Sequence, residues 1–266
     1  MTLSRFAGRV AILSGATLGI GLATAKRLGQ EGCKVVISSR KQKNVDDAVD
    51  YLKDEGIEVL GVVSNQRIKE DRHSLIQQTC AVFGGFDCLF INAGASPHIN
   101  NLLEITEEQF DRTFDTNLKA NFQFIQECVP YFVKRGAGSI VTNATAGVYG
   151  AIEILAGKHL LLYTWSKLCL VAMTQHISRD CFDLNIRVNC VAPGGIHTQF
   201  LEGGADMPSI KKLFASIGLK EGSPSSRFGE PEEIFSTVAY LLSDDASYVT
   251  GNCIIPCGGY PFNRVL

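Results

Sequence analysis

The chain has 266 residues, 45% of them hydrophobic, a length that suits one large α/β domain with a well-buried core. Its 25 basic and 27 acidic side chains give a net charge of −2, which leaves no electrostatic footprint for nucleic acid or an anionic membrane. No apolar run approaches the roughly 18 residues of a membrane span. The nine cysteines show neither a CxxC pair nor zinc-ligand spacing. We therefore expect an intracellular protein with reduced thiols and no metal.

Short β-branched runs alternate with longer amphipathic stretches along the whole chain. Continuous apolar runs such as 10–13 are typical of parallel strands covered on both faces. Strands are expected at 10–13, 35–37, 58–63, 87–92, 139–141, 186–191 and 252–255. Helices are expected at 20–30, after a cap at Asn44, at 69–83, from a capping box at Thr106 towards Lys134, at 163–183 and at 231–243.

Repeated β-α units predict right-handed crossovers and a doubly wound sheet. No internal repeat, low-complexity tract or linker interrupts residues 1–266. The expected fold is therefore a single-domain α/β Rossmann fold, with about seven parallel strands and helices on both faces.

A glycine-rich turn at 14–21 directly follows the first strand and opens the first helix. Glycines permit the tight turn and let backbone amides approach a pyrophosphate, which the helix N-terminus attracts. A turn that only connects strand and helix is the less favoured alternative. Cofactor contacts are expected from Gly15, Thr17, Leu18, Gly19, Ile20 and Gly21.

The end of the second strand bears on the choice of cofactor. NAD-binding folds place an acid on the ribose 2′-hydroxyl about 20 residues beyond such a turn, but this strand ends in Ser38, Ser39, Arg40 and Lys41. A hydroxyl followed by two cations suits a 2′-phosphate, because arginine offers a planar fork of donors. An exposed basic turn without a ligand is the alternative. Ser39, Arg40 and Lys41 favour NADPH or NADP+.

Tyr163 and Lys167 stand four residues apart, so a helix places phenol and ammonium on one face. A free tyrosine has a pKa near ~10, too high for efficient proton exchange at neutral pH. A nearby cation lowers that pKa, which suits general acid–base catalysis. Such pairs also occur by chance as surface packing, so their surroundings decide the interpretation.

Several motifs in one order carry a resemblance to the short-chain dehydrogenase/reductase family over essentially the whole chain. They are the turn at 14–21, Asn92-Ala93-Gly94, Asn117 within 115–118, the Tyr163/Lys167 pair, and 189–194. The segments 38–46 and 245–251 resemble an NADPH-dependent reductase of carbonyl compounds and retinal within that family. The resemblance implies a small hydrophobic ketone or aldehyde as substrate.

The resemblance also implies individual roles. Tyr163 would donate a proton to the carbonyl oxygen, Lys167 would bind the nicotinamide ribose and lower the pKa of Tyr163, and Asn117 would hold a water in the proton relay. Asn65 stands where many members carry an Asp that meets the adenine. A helix-distorting role for Asn117 and a simple turn at Pro193 are the alternatives. Further cofactor contacts are implied for Asn65, Asn92, Ala93, Gly94, Pro193, Gly194, Ile196 and Thr198.

The serine that the family places after the fifth strand is missing. Counting from the strand start puts Thr145 there, whereas counting back from Gly147 puts Ala144 there. We favour Thr145, because a one-residue slip turns every side chain to the other face, and threonine keeps a hydroxyl donor. With Ala144 instead, loss of the donor would cost on the order of 10²-fold in rate.

Two segments beside the site remain open to alternatives. The stretch between Thr145 and Tyr163 is longer than is usual for the family, and forms either an apolar substrate wall or a surface packed on a neighbouring subunit. A mobile lid is expected at 205–219. The helix of Tyr163 is apolar nearly all round, and family members pair this helix in tetramers, so a homotetramer or homodimer is expected.

The leading hypothesis is an NADPH-dependent reductase of aromatic ketones, dicarbonyls or retinal. The irregular serine position leaves a catalytically silent NADP(H)-binding scaffold or sensor as the alternative. A 3-oxoacyl reductase is a narrower rival, for which no basic patch suited to an acyl carrier is evident. The chain ends in Arg264, Val265 and Leu266, and valine substitutes poorly for the basic residue of a peroxisomal signal. We expect the cytoplasm, with the peroxisome as alternative.

Overall fold

The structure is a computed structural model that describes residues 4–94, 102–149, 153–155, 158–199 and 227–259. Its central sheet has seven strands in the order β3-β2-β1-β4-β5-β8-β9, and all paired neighbours run parallel. Two further short strands, β6 and β7, pair antiparallel. The strands are β1 (Val10–Ser14), β2 (Lys34–Ser39), β3 (Val59–Val63), β4 (Cys88–Ile91), β5 (Gly138–Asn143), β6 (Glu153–Leu155), β7 (Lys158–His159), β8 (Ile186–Val191) and β9 (Cys253–Ile254).

Alternation along the strands builds two cores, one on each face of the sheet. Ala11 and Leu13 belong to one core, and Val10 and Ile12 belong to the other, because successive side chains of a strand point to opposite faces. Helices cover both faces, as the sequence predicts. They are α1 (Gly19–Gln30), α2 (Gln42–Asp54), α3 (Lys69–Phe83), α4 (Glu107–Phe114), α5 (Ala120–Arg135), α6 (Leu161–Asp180) and α7 (Pro231–Leu242).

The long helix expected after Thr106 is divided. Its capping box forms as predicted, since Thr106 and Gln109 exchange side-chain and backbone hydrogen bonds. A π-helical segment at Asp115–Lys119 then separates α4 from α5. Asn121 Nδ2 donates to the backbone oxygens of Thr116 and Asn117, and such side-chain bonds compete with the regular helical ladder. The expected helix is therefore confirmed as a helical stretch from Glu107 to Arg135, with a π-helical distortion that the sequence did not predict.

Two other helix boundaries differ from the sequence-based expectation. The second helix begins at Gln42, with Lys41 as its N-cap, so Asn44 lies inside the first turn and does not cap it. Gln42 donates to Asp46, and Lys43 pairs with Asp47, which stabilises this earlier start. The helix of Tyr163 begins at Leu161 and ends at Asp180, and Asp183 lies in a separate 3₁₀ turn.

The strand order reverses between β1 and β4. In open parallel sheets, ligands bind at the carboxyl ends of the strands beside such a reversal. The ends of β1, β4, β5 and β8 therefore define the region in which a site is expected. Within the described ranges, no helix has the length and apolar character needed to cross a bilayer.

Candidate active site

The glycine turn after β1 is held against two other segments. Gly15 has a φ of +60°, and a Cβ there would lie 2.7 Å from the Cα of Ala93. Gly19 has a φ of +53°, and a Cβ there would lie 2.9 Å from Cγ2 of Thr198. Only glycine tolerates both the backbone conformation and the approach. The structure thus brings together the glycine turn, the segment after β4 and the segment after β8.

The N-terminus of α1 is suited to an anion. Leu18, its N-cap, provides no side-chain hydrogen bond, and the first turn contains no acidic residue. The first amides of a helix have no partner inside the helix, and its dipole favours negative charge there. Together with the bare backbone of the turn, this end fits the pyrophosphate of a dinucleotide. Thr17 is buried, Leu18 is exposed and Ile20 is half-buried.

The basic residues after β2 lie beside the same turn. Ala16 N donates to Ser38 O at 3.1 Å, which fixes the end of β2 against the turn. Ser39 is half-buried, and Arg40 and Lys41 are exposed. In the part of the chain that the structure describes, neither of these two cations forms an ion pair. Their positive charge therefore remains available to a ligand.

Asn65 has hydrogen-bond partners close to it in the sequence. Its amide donates to Asp71 Oδ2 at 2.7 Å, and its side-chain oxygen accepts from Arg67 N at 3.2 Å. The side chain is half-buried at the end of β3. Its placement beside β2 fits a contact with the adenine end of a dinucleotide.

A series of amide contacts joins the glycine turn to α6. Asn92 Nδ2 donates to Gly15 O at 2.7 Å, and Asn143 Nδ2 donates to Asn92 Oδ1 at 2.7 Å. The backbone oxygen of Asn143 accepts from Lys167 Nζ at 2.5 Å. Asn143 is 8% exposed at the end of β5. The sequence analysis missed this residue, although a polar side chain at a strand end was the available signal.

Gly94, Asn117 and Lys167 meet at one point. A Cβ on Gly94 would lie 3.4 Å from Asn117 Oδ1 and 3.6 Å from Lys167 Nζ. Asn117 Nδ2 donates to Ser166 Oγ at 3.0 Å, and that hydroxyl donates to Tyr163 O at 2.7 Å. The π-helical segment thus turns Asn117 towards α6, so the helix distortion and the contact with the site occur together. Ser166 was also missed in the sequence.

Burial controls the ionisation of the Tyr163/Lys167 pair. It raises the pKa of Tyr163 above the ordinary value of a phenol and lowers the pKa of Lys167 to about 8. Lys167 Nζ lies over the Tyr163 ring, 5.7 Å from its centroid. Desolvation therefore outweighs the lowering of the tyrosine pKa that the sequence predicts. At neutral pH, Tyr163 is a protonated phenol, which is a proton donor.

The turn after β5 separates Ala144 from Thr145. Ala144 is 4% exposed in an apolar cluster with Val171 and Cys190, and its amide donates to Val191 O. Thr145 is half-buried, and its Oγ1 accepts from Gly147 N at 3.3 Å. Since the side chain of Ala144 packs in the interior, Thr145 is the hydroxyl available in this turn.

The segment after β8 completes the cofactor side. Pro193 is buried and its oxygen accepts from Ala146 N, while Gly194 N donates to Pro256 O. Ile196 is 8% exposed and pairs with Gly229. The expected lid at 205–219 lies outside the described residues, and so do residues 150–152 and 156–157 of the loop that precedes α6. Among the residues described, no group of three or more metal-ligating side chains forms.

Comparisons with known proteins find relatives over nearly the whole chain. A family model described as enoyl-(acyl carrier protein) reductase matches residues 15–261. Dehydrogenase/reductase SDR family member 4 of Bos taurus is 39% identical over 255 residues, which cover 94% of this chain and 86% of the relative. A short-chain type dehydrogenase/reductase from Mycobacterium marinum has a TM-score of 0.87 at 27% identity and 97% coverage of both chains. An actinorhodin polyketide ketoreductase variant crystallised with NADPH has a TM-score of 0.82 at 27% identity, covering 97% of this chain and 98% of the other.

Proposed function

The chain belongs to the short-chain dehydrogenase/reductase family, and we propose that it is an NADPH-dependent reductase of hydrophobic ketones or aldehydes. One observation carries the proposal. Asn117 and Lys167 approach the exposed backbone of Gly94, and Asn117 is joined through Ser166 to the backbone of Tyr163. A phenol, a cation and an amide that are linked in this way support a site for proton transfer near the glycine turn.

Tyr163 donates its proton to the carbonyl oxygen of the substrate. The raised pKa keeps the phenol protonated at neutral pH, and the ammonium of Lys167 stabilises the negative charge left on the phenol after transfer. The hydroxyl of Thr145 donates a hydrogen bond to the same substrate oxygen. NADPH, when bound, supplies the hydride. Asn117 holds the water through which the phenol recovers its proton.

The choice of NADPH is supported by charge. Arg40 and Lys41 lie at the end of β2, which is hydrogen-bonded to the glycine turn through Ser38. Their exposure and the planar donor fork of arginine suit the 2′-phosphate. The uncapped N-terminus of α1 suits the pyrophosphate. The ketoreductase relative crystallised with NADPH adds support from a similar fold.

The function is tested by NADPH oxidation with aromatic ketones, dicarbonyls, retinal and 3-oxoacyl thioesters, comparing wild type with Tyr163→Phe. We expect turnover of the hydrophobic carbonyls, and a loss of about 10²-fold or more in the variant. NADPH binding, followed by the fluorescence of the nicotinamide, should be retained in both proteins. Binding without turnover would indicate a sensor or scaffold, and turnover confined to acyl thioesters would indicate a 3-oxoacyl reductase.

The assembly is proposed to be a homotetramer or a homodimer. On α6, Trp165 is 47% exposed and Leu168 is 48% exposed, and Cys169 lies beside them at helical spacing. On α5, Phe122 and Val133 are 44% and 47% exposed. Exposed apolar side chains on both helices favour burial against a second copy of the chain.

A further inference from the structure

Two cysteines that the proposed reaction does not use are neighbours in the sheet. Cys190 of β8 is the register partner of Cys253 of β9. Adjacent strands lie about 4.8 Å apart, which is within the Cα separation that a disulfide bridges. Both belong to the apolar cluster that contains Ala144 and Tyr149. Tyr149 and Cys190 both lie close enough to Cys253 to affect the pKa of its thiol.

The pair combines one buried and one accessible thiol. Cys190 is 0% exposed, whereas Cys253 is partly exposed. Strand β9 is an edge strand of two residues, so it can shift by the fraction of an ångström that bond formation requires. Among the described cysteines, all of which are reduced, these are the two that face each other across a strand ladder.

We propose that Cys190 and Cys253 form a redox-active pair, which a hydroperoxide converts to a disulfide, and that this bond lowers turnover at the neighbouring site. The formation of the bond is independent of the proposed reductase function. Only its effect on turnover rests on that function.

The chemistry assigns different roles to the two thiols. The proximity of Cys190 and Tyr149 lowers the pKa of Cys253, whereas burial raises the pKa of Cys190. The Cys253 thiolate attacks the peroxide, forming an S–O bond as the O–O bond breaks, and the leaving oxygen is protonated. Cys190 sulfur then displaces the hydroxyl of the sulfenic acid, and its proton leaves with that hydroxyl as water. Two thiols are oxidised, and one hydrogen peroxide is reduced to two waters.

The disulfide would affect the site through two sets of contacts. Tyr149 loses the neighbouring thiol of Cys253, and it lies in the turn Ala146–Tyr149 that follows Thr145. Cys190 packs in one apolar cluster with Val171, which lies one helical turn from Lys167 on α6. A change at Cys190 therefore acts on the turn that holds Thr145 and on the environment of Lys167.

The bond is tested on the full chain carrying Cys169→Ser, which removes an exposed thiol of α6. The protein is treated with hydrogen peroxide, blocked with N-ethylmaleimide and digested for mass spectrometry. We expect a linked peptide pair containing positions 190 and 253, lighter by two hydrogens than the separate peptides and released by dithiothreitol. The link should persist in the control Cys257→Ser and disappear in Cys253→Ser. Sulfinic acid at 253 with an alkylated Cys190, or a link from 253 to 257, would overturn the assignment.

Turnover is measured on the same samples. Peroxide should reduce the rate by about tenfold, because small displacements of positioned groups are costly, and dithiothreitol should restore it. The Cys253→Ser variant, compared with its own untreated rate, should show no such reversible loss. If the linked peptide forms and the turnover rate stays constant, the proposed effect of the disulfide on turnover is wrong. If no carbonyl compound is reduced at all, the proposed function is wrong. The linked peptide still shows whether Cys190 and Cys253 form a disulfide.

Discussion

Arg40 is the residue at which the choice of cofactor should be most sensitive. It is exposed beside the glycine turn, so substitution there changes charge with little effect on packing. We expect Arg40→Asp to lower the ratio of kcat/KM for NADPH to that for NADH by about 10²-fold, since a bidentate charge pair is replaced by repulsion. Steady-state kinetics with both cofactors measure the ratio. Lys43→Asp makes the same charge change at a cation already paired with Asp47, and an equal effect in both variants would contradict the assignment.

Because Lys167 is buried, we expect the free energy of unfolding to rise with pH. Burial lowers its pKa to about 8 in the folded protein, whereas the unfolded chain has a value near ~10.4. Between these two pH values the unfolded state binds more protons than the folded state does. The free energy of unfolding therefore rises with pH, because the folded protein no longer has to bury a charged ammonium. The free energy of unfolding of wild type relative to Lys167→Met should therefore rise by up to about 3 kcal/mol over this window. Urea unfolding at pH 7 and pH 10 measures the difference, and a flat or falling difference would refute it.

Asn143 connects the glycine turn with Lys167 through its side chain and its backbone oxygen. Asn143→Leu leaves Asn92 Oδ1 without this donor, which should cost about 1–3 kcal/mol of stability and weaken NADPH binding by about tenfold through the glycine turn. Fluorescence titration and urea unfolding give the two quantities. Thr142→Val also removes a buried hydrogen bond, to Thr174, but should leave NADPH binding unchanged. Equal weakening in both variants would indicate a general loss of structure.

The sequence was sufficient to propose Tyr163, Lys167 and Asn117, because their spacing and order form a recognisable pattern. For Asn143 it offered only a polar side chain at a strand end, and for Ser166 no signal, since their contacts join the ends of β5 and β4 or the π-helical segment and α6. Their importance depends on which strands become neighbours.

Among the helices and strands, the π-helical segment between α4 and α5 is a feature that was not predicted from the sequence. The segment Asp115–Lys119 contains neither glycine nor proline, so the sequence shows no helix-ending signal there and predicts one helix. The interruption depends on side-chain contacts with the backbone, above all those of Asn121. The strands of the parallel sheet were predicted well because their apolar runs are short, and most of these runs are buried. The capping box was predicted correctly because it is local.

Asn121 should position Asn117. We expect Asn121→Ala to lower kcat by about tenfold with little change in the KM for the carbonyl substrate, since the variant shifts a proton-relay group without touching the substrate. Stability should fall by about 1–3 kcal/mol. Gln126→Ala on the exposed face of α5 is the control, and it should leave both values near those of wild type. A change in KM alone would argue against the positioning role.

At the scale of the whole molecule, the exposed apolar stripes of α5 and α6 predict a defined oligomer. Leu168→Glu places a charge within the stripe on α6, and burying an unpaired charge in an interface is costly. We expect sedimentation velocity to show a smaller species for this variant than for wild type at the same concentration. Val82→Glu changes an aliphatic residue of α3 that is 58% exposed, and it should sediment as wild type. A wild-type monomer would refute the assembly.

The strand order has a consequence for how the molecule is made. β1 is the first strand to leave the ribosome, and it lies in the interior of the sheet. Later strands extend the sheet outward, to β3 on one side and to β9 on the other. The N-terminal β-α units can therefore assemble during synthesis, whereas β1 must wait for β4 before its second edge is covered. Such delayed pairing slows folding and leaves an edge open to other chains. Loss of β9 would remove one edge strand, but loss of β1 would divide the sheet into a part with two strands and a part with four.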